Sequence, residues 1–453
     1  MDESCKTKNR YKIIITVLVV LLIAVCIFAV ILAGKHDGED DIFKHNELEA
    51  PLSVDNSDGY ELEQVLIISR HNIRSPLSGR GSLLGEITPH EWFAWTSNPS
   101  ELSVKGGQLE TAMGQFYRKY LEAKGLIPEN WIPEKGEVRF YANSMQRTIS
   151  TAEFFASGML PVGNPEIEYH EEYGGVDSIF CPIVRFTSPE FEAQVMAEIN
   201  ENMPDLKEAY ALLEEVLDFK DSDYAKENNI SAIPTDDTGF TLTVGEEIQA
   251  SGGLKIANAA VDALKLQIYE EDDIEKALFG HKMTEEQIKK ICTITDAYQE
   301  ACEGAPTLAK QVMGPIIAEM EKELDTPNRK FSFLCGHDST LTALVAALDI
   351  KEYELPGAIS CKAPIGGKMV WEKYRGADGN EYIKLIMCYN TTEQLRKCGM
   401  LSMDNPPMLY ELELEGLQKN ADGYYRYEDV IARFEEALLH EYDYVEVPMD
   451  AAA

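Results

Sequence analysis

The run Val65-Leu66-Ile67-Ile68 breaks off at Ser69-Arg70-His71-Asn72-Ile73-Arg74-Ser75-Pro76, and no other stretch restricts the possible folds of this chain so sharply. A short, apolar, β-branched run reads as a strand buried on both faces. It delivers two guanidiniums and an imidazole at its end. In open α/β sheets ligands sit just beyond the carboxyl ends of the strands. Arginine forks match the oxygens of a phosphate. An imidazole between two cations resists protonation, because like charges disfavour the charged form. The neutral ring is the form a nucleophile needs. The same residues would also fit an architectural role, with Arg70 and Arg74 in salt bridges and His71 closing the strand end.

Two more strands end in chemically similar residues. Glu137-Val138-Arg139-Phe140-Tyr141-Ala142 reads as a strand that stops at Asn143-Ser144, both suited to capping a helix. Met145, Ile149 and Ala152 then recur on one helical face, so Arg147 falls in the first turn. A helix N-terminus already favours anions, and an arginine there adds to the positive field. An anion held between the two would resolve the conflict; so would a nearby Asp or Glu. The third run, Phe331-Ser332-Phe333-Leu334-Cys335, leads into Gly336-His337-Asp338 and a helix with Leu341, Leu344, Val345 and Leu348 inward. Asp338 would alternatively serve as the N-cap of that helix.

A parallel sheet would gather these three strand ends. Arg70, Arg74 and Arg147 would then surround the non-bridging oxygens of a phosphoryl group, with His337 as a further donor. His71 would attack phosphorus in line with the leaving alcohol, and Asp338 would supply the proton that alcohol needs. Water would later cleave the phosphohistidine, with Asp338 as base. Positioning and electrostatic stabilisation carry such a reaction. It requires no metal or other cofactor, and no His/Asp/Glu cluster with ligand spacing is visible in the sequence. Asp338 must start protonated, so activity is expected to favour acidic pH.

The 453 residues carry a net charge of −37, which argues against a nucleic-acid partner. An anionic small-molecule substrate must therefore be drawn in by a local basic pocket. Residues 1–12 contain Lys6, Lys8, Arg10 and Lys12, and residues 13–34 form an apolar run long enough to span a bilayer. By the positive-inside rule the N-terminus stays cytoplasmic and the rest is exported. The run reads as an uncleaved signal anchor, with a cleaved signal peptide as the alternative. Residues 35–58 form an acidic linker. The remainder divides into a first α/β part (59–186), a mostly helical insertion (187–311) and a second α/β part (312–453). Of the seven cysteines beyond the anchor, Cys335 reads as a buried free thiol in a strand.

The segment Arg70 to Pro76 resembles the R-H-G-x-R-x-P signature of the histidine acid phosphatases, branch 2 of the histidine phosphatase superfamily. Asn72 stands where the family usually has glycine. His337-Asp338 resembles the second signature, and Asn143-Ser144-x-x-Arg147-Thr148 the segment with the third phosphate arginine. Lys105-Gly106-Gly107, Pro364-Ile365-Gly366-Gly367-Lys368 and Thr392-Glu393-Gln394-Leu395-Arg396 extend the likeness. The resemblance implies a phosphoglycerate-mutase-like α/β core sheet flanked by helices, with a smaller inserted α domain over the site. It implies His71 as nucleophile, Asp338 as acid, and Arg70, Arg74, Arg147 and His337 as the phosphate cradle. Glu270 lies where a substrate contact from the insertion is possible, although a solvated helix carboxylate is the simpler reading. Sugar phosphomonoesters, glucose 1-phosphate among them, are the expected substrates, with inositol hexakisphosphate the alternative. Thr340 departs from the asparagine expected two residues after the Asp, which leaves one hydrogen bond near the site open.

Overall fold

The computed structural model describes residues 42–44, 50–54, 59–77, 82–360 and 362–438. The apolar run at 13–34, most of the acidic linker and Cys361 lie outside the described residues. Among the described residues no helix is long and apolar enough to cross a membrane.

The strands are β1 (Tyr60–Arg70), β2 (Val138–Ala142), β3 (Ile167–Glu168), β4 (Gly239–Thr241), β5 (Gln249–Ser251), β6 (Phe331–Gly336), β7 (Lys368–Gly376), β8 (Glu381–Tyr389), β9 (Met408–Glu411) and β10 (Tyr425–Arg426). The main helices are α1 (Val104–Ala123), α2 (Gln146–Met159), α3 (Pro189–Asn202), α4 (Lys207–Val216), α5 (Gly252–Glu270), α6 (Glu285–Glu303), α7 (Pro306–Asp325), α8 (Asp338–Ala347) and α9 (Tyr427–Leu438). Eight strands form one sheet in the order β10-β8-β7-β1-β6-β2-β3, with β9 on β8. The fold is therefore mixed α/β.

Position in the sheet explains the apolar runs. Both β1 and β2 pair parallel to β6, with Arg70 opposite Gly336 and Ala142 opposite Cys335. Leu66 and Ile68 enter the core on one face with Val312 and Ile316 of α7 and Leu344 of α8. Val65 and Ile67 enter the core on the other face with Phe116 of α1 and Phe155 of α2. With helices on both faces, positions 65–68 of β1 are apolar on both sides, so no alternation survives there. The strands β7 and β8 form a hairpin around Asp378-Gly379, and Gly379 has φ +80°.

Helices α1 and α2 cross closely. A Cβ on Gly114 would strike the backbone of Phe155, and one on Gly158 would strike the backbone of Thr111. The two glycines let α2 lie flat on α1, and that sets the height at which the first turn of α2 presents Arg147.

Residues 187–311 hold α3 to α6, the β4–β5 hairpin and the start of α7. Pro306 sits at the first turn of α7, where its missing N–H is harmless. The helix then runs unbroken past residue 311, so the expected boundary at 311/312 falls inside one helix. The strand β9 ends at Glu411, and Leu414 beyond it forms an isolated bridge to Ile350. Cys181, Cys302, Cys335, Cys388 and Cys398 are free thiols, with Cys335 fully buried.

Candidate active site

The parallel pairing brings the ends of β1, β2 and β6 side by side. His71 follows directly on β1, and its backbone is tied to both neighbours: its N–H donates to Gly336 O at 3.1 Å, and its carbonyl accepts from Gly366 N at 3.1 Å. Its ring nitrogen Nδ1 lies 2.9 Å from the Asn72 carbonyl. A carbonyl only accepts, so Nδ1 carries the hydrogen and Nε2 keeps its lone pair. Burial pushes the His71 pKa well down, and Arg147, Arg74, Arg70 and His337 push it further in the same direction. The ring is therefore neutral with Nε2 unprotonated, which is the nucleophilic form.

Asn72 is not in the left-handed region, so this position does not need a glycine. Its Oδ1 accepts from Ile73 N at 2.8 Å and its Nδ2 donates to Glu110 Oε1 at 2.8 Å. Lys368 Nζ donates to the same Glu110 oxygen at 2.9 Å, and both charged side chains are fully buried. Gly366 has φ +64°, and a Cβ there would lie 2.6 Å from Asn72 Nδ2. The Gly366-Gly367-Lys368 segment thus clamps the loop that carries the histidine.

Arg70, Arg74 and His337 are all buried. Burial and the neighbouring Arg74 push Arg147 down to about 10. The helix α2 begins at Gln146 with Met145 as its N-cap and no side-chain cap. Asn143 and Ser144 do not cap it, contrary to the sequence expectation. Asn143 Oδ1 instead accepts from Ser144 N at 2.8 Å and Asp177 N at 2.9 Å. That turns its amide Nδ2 onto His337 Nε2 at 2.6 Å. The amide donates, so Nε2 of His337 accepts and the neutral ring carries its hydrogen on Nδ1. That Nδ1 lies 3.4 Å from Arg147 Nη2, a donor facing a donor. Both groups gain from an anionic oxygen placed between them. The rings of His71 and His337 are 5.6 Å apart. Burial, then Arg147, keeps His337 well below the usual imidazole range.

Asp338 is the first residue of α8, and the N-cap is His337. The carboxylate accepts from Arg70 Nη2 at 2.8 Å and from Gln299 Nε2 at 2.8 Å. Burial alone would raise its pKa, but Arg70, Arg74, His337 and Lys265 outweigh burial and hold it well below the carboxylate range. These cations favour the ionised form of Asp338, whereas the sequence reading has it start protonated. The physical reason is its direct pairing with Arg70, to which Arg74, His337 and Lys265 add. Thr340, in place of the expected asparagine, accepts from His337 N at 3.0 Å and donates to Phe180 O at 2.5 Å, so the strand-to-helix turn is held.

The insertion supplies partners that sequence spacing did not reveal. Asp262 of α5 pairs with Arg74 at 3.1 Å. Asp262, Lys265 and Tyr269, on one face of α5, line a small cavity with Arg70, Ser360 and Ile365. Lys265 is buried and its Nζ has no hydrogen-bond partner. Glu270 is not among the residues lining that cavity; its Oε2 accepts from Ser103 Oγ at 2.9 Å, beside the N-terminus of α1. Burial raises its pKa. The only signal for Asp262 and Lys265 was their spacing of three on an amphipathic helix, which any helix face shares.

A neutral histidine inside a cage of three arginines, at the carboxyl edge of parallel strands, defines a phosphoryl-transferring enzyme. The profile of the histidine phosphatase superfamily, branch 2, matches residues 61–388, and the chain belongs to that family of phosphatase hydrolases. It is 35% identical over 385 residues to a glucose-1-phosphatase of Providencia rettgeri, covering 83% of this chain and 92% of the relative. It is also 35% identical over 374 residues to the glucose-1-phosphatase of Salmonella typhimurium, covering 81% and 90%. The fold matches the phytase of Citrobacter braakii with a TM-score of 0.77 at 23% identity, covering 84% of this chain and 98% of that one.

Proposed function

We propose that this chain hydrolyses sugar phosphomonoesters, glucose 1-phosphate foremost, through a phosphohistidine at His71. The observation that carries the mechanism is the tautomer of His71: Nδ1 is committed to Asn72 O at 2.9 Å, and Nε2 is left as the attacking lone pair. Arg70, Arg74, Arg147 and the Nδ1–H of His337 bind the phosphoryl oxygens. The incoming anion competes with Asp338 for Arg70 and neutralises the cage, so the pKa of Asp338 rises on binding. The acid is thereby made by the substrate itself and stands ready to protonate the leaving alcohol. Asp338 then serves as base for the water that releases phosphate. Residues 13–34, with the four cations before them, anchor the catalytic part outside the cytoplasm in this reading.

The relatives named glucose-1-phosphatase support the sugar phosphate. The buried, unpartnered ammonium of Lys265 favours a second reading, a substrate with more than one negative group such as inositol hexakisphosphate. The test is kcat/KM for both esters on the wild type and on Lys265→Met. A larger loss for inositol hexakisphosphate supports the second reading. Equal losses with glucose 1-phosphate preferred support the first. No release of phosphate from either ester would overturn both.

A further inference from the structure

We propose that His90, Asp218 and His281 form a binding site for a borderline divalent transition-metal ion such as Zn2+, one that ties the loop after β1 to the helical insertion. None of the three takes part in the phosphate chemistry above. They come from segments far apart in sequence: the stretch between β1 and α1, the turn after α4, and the loop between α5 and α6. His90 Nε2 lies 2.7 Å and His281 Nε2 3.1 Å from one oxygen, Asp218 Oδ2. The three candidate ligand atoms all lie within 4.8 Å of one another.

The donor set is chemically selective. Two imidazoles and one carboxylate suit Zn2+ and its neighbours in the transition series, whereas Mg2+ and Ca2+ want oxygen ligands throughout. Zinc-to-ligand distances of about 2.0–2.1 Å put tetrahedral ligand atoms roughly 3.3 Å apart. The observed separations of 2.7 and 3.1 Å would need to open by only a few tenths of an ångström. In the present arrangement both Nε2 atoms face the same carboxylate oxygen as donors. An entering ion takes the place of those hydrogens, and each ring presents an Nε2 lone pair to the metal. The side chains of His90, Asp218 and His281 are 31%, 40% and 25% exposed, which leaves a path for entry and room for water as a fourth ligand.

The first ligands are already held in place. The His90 ring stacks on Phe279 with centroids 5.0 Å apart, and Trp92 meets the same Phe279 edge-on at 5.1 Å. Thr88 donates to Leu217 O at 2.7 Å and accepts from His90 N at 3.2 Å, so the His90 and Asp218 backbones move together. Little ordering remains to be done when an ion binds. The same loop runs on to Phe93, whose N–H donates to Gln267 Oε1 of α5 at 2.7 Å, in the helix that faces the phosphate cage. A metal here is a structural clamp, and it leaves the chemistry to His71.

The full chain, stripped with EDTA and desalted, is titrated with Zn2+ and passed through a sizing column. The expected result is one equivalent of zinc retained, with a Tm rise of at least about 2 °C at saturating zinc. Mg2+ at the same concentration leaves Tm unchanged. The His90→Gln/His281→Gln variant retains less zinc by at least about tenfold, and hydrolyses p-nitrophenyl phosphate like the wild type, which shows that it folds. Zinc retention unchanged in that variant would place the ion elsewhere, on His71 and His337 for example, and overturn the proposal; so would no retention by the wild type. X-ray absorption of the wild-type zinc complex supplies a measurement free of any folding defect. Two imidazoles in the zinc shell, kept in His71→Gln, support the site; any other number, or the loss of one in His71→Gln, overturns it.

Discussion

The guanidinium of Arg70 donates to the carboxylate of Asp338 at 2.8 Å, which pairs the proposed acid with a member of the proposed phosphate cage. In the proposed mechanism a substrate phosphate replaces that internal anion and raises the pKa of Asp338 when a proton is needed. Asp338→Asn should lower kcat by about 10²–10⁴-fold for alkyl phosphates, the range general acid catalysis contributes. The loss should be much smaller for p-nitrophenyl phosphate, whose leaving group needs little protonation. Equal losses for both esters would remove Asp338 from the acid role.

His71→Ala should lower kcat by at least about 10⁴-fold, because a nucleophile cannot be replaced by positioning alone. Rapid quenching of the wild type with labelled substrate should trap label on the protein, stable to alkali and lost in acid. His337→Ala should keep the trapped species but weaken inhibition by phosphate, since only a donor to the anion is gone.

Both buried imidazoles, His71 and His337, have pKa values well below the ordinary value near 6.5. The unfolded chain therefore binds protons that the folded chain refuses. Stability should fall as pH drops below about 6.5, by up to roughly 1.4 kcal/mol per pH unit for each ring. Urea unfolding at pH 7 and pH 5 measures the slope. His71→Gln should flatten it, and saturating phosphate should shift the loss, because the anion stabilises the charged rings.

Lys368 and Glu110 form an ion pair with both side chains fully buried. Lys368→Met leaves the Glu110 charge without compensation and should cost about 3–5 kcal/mol in urea unfolding. The double variant Glu110→Gln/Lys368→Met should cost less than the sum of its parts. Activity should fall in the single variant, because Asn72 hangs on Glu110 and His71 hangs on Asn72.

Much of the candidate site was legible in the sequence. A strand buried on both faces has no polar position to spare, so the polar burst at Arg70-His71 marks where β1 leaves the sheet. The same holds for Gly336-His337-Asp338 after β6. Partners contributed through the fold were not legible. Asp262, Lys265 and Gln299 sit on helices whose amphipathic pattern is met equally by a solvated face. Nothing in the spacing of His90, Asp218 and His281 announces a common site, since they are 128 and 63 residues apart. The ionisation of Asp338 was not legible because it depends on Arg70, Arg74 and Lys265, which lie far from it in sequence.

Local chemistry in the chain itself determined the kinds of group at work here: which strands are buried, which side chains they release, and that a phosphate would suit them. Packing alone decided how those groups act. The parallel register of β2, β6 and β1, and the glycine-lined crossing of α1 and α2, convert separate residues into one cage. Within that cage the charge of each group is a property of its neighbours, and neighbours across a fold are not recorded in sequence order.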